Sequence, residues 1–125
     1  MSAIDWLSRY VFDKRQLREN DRYSAFMPRD PYPNVLSVFN IAELNEETIW
    51  SIGEGVNANK SIKGRYDFQW TVVSTHEDAL LNQLTLNADG IGHPNHCNIE
   101  NYPGDIESNT LVALALAKTS NLIKP

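Results

Sequence analysis

The 125 residues suit one domain built on a single core and leave no room for a second. Hydrophobic residues make up 42% and charged residues 22%, which excludes a disordered chain, and the longest apolar run, Leu111 to Ala117, is far short of the roughly 20 residues that cross a bilayer. The formal charge of -5 is uneven: six bases stand against five acids before residue 34, and five against eleven after it, so no strongly basic face is available and a nucleic-acid partner is not expected.

The first residues set Asp5 and Arg9 inside an apolar stretch, a poor export signal, and the single cysteine, Cys97, permits no internal disulfide. Both features fit a cytoplasmic protein. Asp13 before KRQLREN predicts a short capped helical turn in which only Leu17 is apolar. Tyr23 to Met27 reads as a strand, PRDPYPN as a rigid loop displaying Tyr32, and Val35 to Ile41 as a central strand. Asn45 then caps a helix with acids in its first turn and Ile49, Trp50, Ile52 and Val56 behind, weakened at its end by Gly53 and Gly55.

Arg65 to Thr75 alternates apolar and polar residues and predicts a strand with one buried side. Leu84 and Leu86 flank Thr85 as in another short strand, and His96 to Tyr102 reads as an edge strand. Asp105 or Ser108 caps a last helix running to about Leu122, whose LVALALA block is apolar all round. Such a helix is buried on both sides or meets a second copy of the chain, so a homodimer is expected. The whole predicts a single α+β domain over residues 1–125, mainly an antiparallel sheet of four to five strands with two main helices packed on one face.

Residues 90–105, GIGHPNHCNIENYPGD, gather two of the three histidines and the cysteine on a segment that glycine and proline keep from being helical. His96 is the sharpest candidate, as a general acid or base oriented by a nearby carboxylate: Glu100 on the same strand face, or Asp89 and Asp105 bracketing the loop. Asn98, Tyr102 or an arginine from the first third, Arg9 or Arg22, would polarise a substrate oxygen, and His93 would contact ligand. His93, His96 and Cys97 with His76 and Asp78 are zinc-capable, but no CxxC or HExxH pattern supports a metal, and no cofactor is expected. GEGVNA and GIGHPN lack the third glycine of a phosphate-cradling loop.

SRYVF at Ser8 to Phe12, AFMP at Ala25 to Pro28, LSVF at Leu36 to Phe39, Ile49-Trp50 before Gly53, and HCNI at His96 to Ile99 with Pro103 beyond it carry a resemblance. Together they resemble an uncharacterised group of small bacterial proteins encoded in accessory, often mobile, parts of genomes. The resemblance implies no reaction or cofactor; it makes His96, Asn98 and Arg9 the first positions to test, and Cys97 and His93 do not match its pattern. The leading expectation is a binding or interaction domain of an accessory bacterial system with a protein or small-molecule ligand. The alternative is a small hydrolase or transferase centred on His96 with an N-terminal arginine.

Overall fold

Trp6–Val11 forms the strand β1 near the centre of the sheet, where the sequence reading assigns no element. Its apolar residues serve two different cores, Leu7 and Val11 on one side and Tyr10 on the other, so the pattern of a half-buried strand never emerges. The computed structural model describes residues 5–29 and 31–125; residues 1–4 of the N-terminal stretch and Asp30 of the proline-rich loop lie outside them. The other strands are β2 (Leu36–Asn40), β3 (Gly64–Gln69), β4 (Thr85–Asn87), β5 (His96–Glu100) and β6 (Asn121–Ile123). They form one sheet in the order β4-β5-β2-β1-β3-β6 with every neighbouring pair antiparallel.

The α+β class is as expected, with six strands among the described residues rather than four to five. Helices are α1 (Glu46–Val56), α2 (Trp70–Ser74), α3 (Ala79–Asn82) and α4 (Ile106–Thr119). One face of the sheet packs Leu7, Val11, Val38, Tyr66, Phe68 and Ile99 against α4, α3, α2 and Phe26. The Phe26 ring meets Tyr66 at 5.5 Å and Phe68 at 5.8 Å. Each such fully buried side chain contributes about 1.5–3 kcal/mol.

The two main helices take opposite faces rather than one, because Tyr10 and Arg65 offer α1 its own anchoring points. Ile49 and Ile52 of α1 join Tyr10 and Ile41 in a second, smaller core, and the Tyr10 hydroxyl donates to the Ile49 carbonyl at 2.5 Å. Arg65 is buried between Glu46 and Asp67, with its guanidinium 4.5 Å from the centre of the Trp50 ring. Asn45 caps α1 as the sequence predicts, its side chain accepting from the Thr48 amide.

Four segments differ from expectation. Glu19–Phe26 is a 3-10 turn, not a strand over Tyr23 to Met27, and buries Ala25 and Phe26 only, too little apolar alternation for a place in the sheet. The predicted strand over Arg65 to Thr75 stops at Gln69: Asp5 accepts from the Thr71 amide and hydroxyl and starts α2. The last helix ends at Thr119, and the residues after it pair with β3 as β6. The histidine-bearing strand is not at the edge, because β4 pairs outside it.

Candidate functional site

Antiparallel register sets Phe39 opposite His96 and Ser37 opposite Asn98, so Ser37 and His96 are diagonal neighbours on the sheet face that α1 leaves open. The Ser37 hydroxyl lies 2.9 Å from His96 Nε2, and His96 Nδ1 lies 2.6 Å from Asp89 Oδ1. Asn98 Nδ2 donates to the other Asp89 oxygen at 2.6 Å. Four side chains thereby make one hydrogen-bonded relay. A carboxylate only accepts, so Nδ1 carries the proton, and Nε2 of the neutral ring is left to accept from the serine O–H.

The loop between β4 and β5 delivers Asp89. Gly90 (φ 64) and Gly92 (φ 80) take left-handed conformations that let the chain fold back, and the Gly90 amide donates to the His96 carbonyl at 3.1 Å. Asp89 Oδ1 also accepts from the Ile91 amide. The hydrogen bond from His96, followed by that from Ile91, holds the Asp89 carboxyl below its ordinary value. The His96 ring is set by Phe39, which it meets edge-on at 5.5 Å.

The relay opens onto a cleft. β1 and β2 keep register at Leu7 with Asn40 and Ser8 with Phe39, and beyond these pairs Arg9 reaches into the gap. Its Nε donates to the Ala25 carbonyl and its Nη1 to the Ser37 carbonyl, both at 2.9 Å. Burial, helped by the charge of Arg29, draws its pKa down to about 10, so it remains a cation at neutral pH. Three adjoining cavities of about 440, 540 and 610 Å³ share Arg9 and Ser37, with Ile52 and Val56 of α1 and Ile91 of the loop among their walls. These are sizes that hold small molecules.

The structure therefore brings His96, Asn98 and Arg9 around Ser37, with His93 on the cleft wall. It does not bring Tyr102 or Arg22 there. Tyr102 is buried beneath, its hydroxyl donating to the Phe26 carbonyl at 2.8 Å, and burial pushes its phenol far up. Arg22 stands off the cleft with its Nε buried and unpartnered among the described residues. Cys97 points to the opposite face into the main core, and among the described residues no three His, Cys, Asp or Glu side chains converge as a metal site.

Ser37 is the member sequence reasoning missed. Its only signal is a hydroxyl in an otherwise apolar strand, beside Asn40. No family model matches the chain, and no curated protein or solved structure matches it.

Proposed function

We propose that the chain is a small hydrolase or transferase in which Ser37 is the nucleophile and His96 the general base and acid. The observation that carries this reading is the continuous relay from Asn98 through Asp89 and His96 to Ser37, opening on a cleft with a fixed cation. Such constellations are recognised by geometry and roles, not by chain order or fold. The Ser37 proton passes to His96 Nε2 as Oγ bonds to the substrate acyl carbon. The imidazolium, held by Asp89, then gives that proton to the leaving oxygen as its bond to carbon breaks. Water, deprotonated by the same nitrogen, releases the acid and restores the serine; another acceptor hydroxyl makes the reaction a transfer. Arg9 supplies the positive charge of the cleft in which the substrate is held.

The test is hydrolysis of a 4-nitrophenyl ester by the wild type, Ser37→Ala and His96→Gln. Each variant is expected to lose about 100-fold or more in kcat/KM, the scale of a general acid-base contribution, with an unchanged circular dichroism spectrum. Full turnover by a folded variant, or none by the wild type, overturns the reading.

A binding or interaction domain is the second reading. It is supported by apolar side chains left in solvent on α4, with Ile106 80%, Leu111 53% and Leu114 41% exposed. In that reading the partner is a protein or small molecule, and the outward side of α4 is where two copies of the chain would join; a mass of one chain at tens of micromolar in sedimentation would remove the homodimer.

A further inference from the structure

We propose that the cleft beside Ser37 seats an oxyanion, a carboxylate or phosphate on a small-molecule substrate, between the guanidinium groups of Arg9 and Arg29. The proposal rests on the hydrolase reading for the bond broken next to the anion, while the anion seat has its own support. Arg9 spends two of its N–H groups on carbonyl oxygens and makes no ion pair among the described residues. Three of the five guanidinium N–H groups remain, and no Arg9 nitrogen is among the buried unpartnered atoms, so those groups reach the cleft. A half-buried cation without a counter-ion gains from a ligand that supplies the opposite charge.

Arg29 lines two of those three cavities, near enough for its charge to bear on Arg9. Among the described residues the three cavities are lined by four basic side chains, Arg9, Arg15, Arg29 and Lys60, and one acid, Asp13. Asp13 is already paired with Arg15 at 2.8 Å, and among the described residues neither Arg9 nor Arg29 makes an ion pair. A cleft lined by one sign focuses its field on ligands of the other. The walls set the rest of the ligand: Phe39, Ile52, Val56 and Ile91 offer an apolar body its place beside the charged floor. A fork of N–H donors in a cavity that a second guanidinium also lines suits a carboxylate or phosphate.

The experiment combines nuclear magnetic resonance titration with inorganic phosphate and with acetate, and kcat/KM for two esters of one leaving group, neutral 4-nitrophenyl acetate and the anionic 4-nitrophenyl monoester of succinate. Either anion is expected to shift the Arg9 and Ser37 resonances saturably, and the succinate ester to be favoured about tenfold or more, one charge-assisted hydrogen bond. Arg29→Gln, an exposed change, is expected to erase both while the fold stays native; Arg9→Lys, which keeps the charge without the fork, is expected to weaken them. Tighter phosphate assigns a phosphate substrate and tighter acetate a carboxylate, and either upholds the seat. Anion binding with no ester turnover upholds the seat and removes the hydrolase. Turnover without preference for the anionic ester removes the seat and leaves the hydrolase. Unmoved resonances at tens of millimolar anion overturn the proposal. So does an oligonucleotide bound about 100-fold more tightly than phosphate with steep salt dependence, because the ligand would then be a polyanion.

Discussion

Asp89 decides which way the relay points. While ionised it fixes the proton on His96 Nδ1, so Asp89→Asn, which can donate as well as accept, frees the ring to take the opposite tautomer. A fall of kcat on the order of 10²- to 10⁴-fold is expected with little change in fold. The direction with pH follows. The folded carboxyl lies below its ordinary value, so the anion persists through the usual carboxylate range and is lost only as pH falls through the depressed folded value. Titrating the Asp89 carboxyl carbon should give a midpoint below that of an ordinary aspartate, and one at or above it would contradict the relay. At this scale the sequence revealed the imidazole and the neighbouring Asn98 but not their partner, because a serine on an apolar strand reads the same whether it faces a cleft or open water.

Within α1 two glycines two residues apart have opposite consequences. A Cβ at Gly53 would stand 2.6 Å from the Tyr10 ring, so Gly53→Ala must push the helix off β1 and is expected to destabilise by about 1–3 kcal/mol. A Cβ at Gly55 meets nothing within 4 Å, so Gly55→Ala should stabilise by roughly 0.5–1 kcal/mol through helix propensity. Urea midpoints of the two variants should move in opposite directions; a shared direction would show that α1 is not pinned to Tyr10. Elements with their own cap and one apolar face, α1 and β2, were legible in the chain. β1 was not, because its two sides serve separate cores and Arg9 interrupts one of them. The turn before Met27 and the start of α2 depend on partners distant in sequence, Tyr102 for the Phe26 carbonyl and Asp5 for Thr71, and no local pattern encodes those.

For the molecule as a whole, Asp5, Glu46, Asp89 and Asp105 all lie below their ordinary values. Hydrogen bonds from Thr71, Arg65, His96 and Ser108 are the largest causes. Each folded value is below the unfolded one, so their stabilisation is complete above the ordinary carboxylate range and disappears as pH drops through the folded values. The urea midpoint should therefore fall as pH is lowered through and below the ordinary carboxylate range; a midpoint that stays constant there would contradict this. The α+β class and the antiparallel pairing were readable from alternation and capping. The use of both sheet faces was not, since nothing in the local pattern of α1 says which side of β1 it will cover.

Past Ser8 and Phe39 the sheet is fastened by the Arg9 side chain instead of by a backbone ladder. That makes the line between β1 and β2 a seam where the β4-β5-β2 half can breathe against the β1-β3-β6 half. Whatever grips the guanidinium from the cleft tightens the seam, and whatever competes for it loosens the two halves. Occupancy would thus be written into the pace at which amide hydrogens exchange along β2, out of reach of the occupant itself.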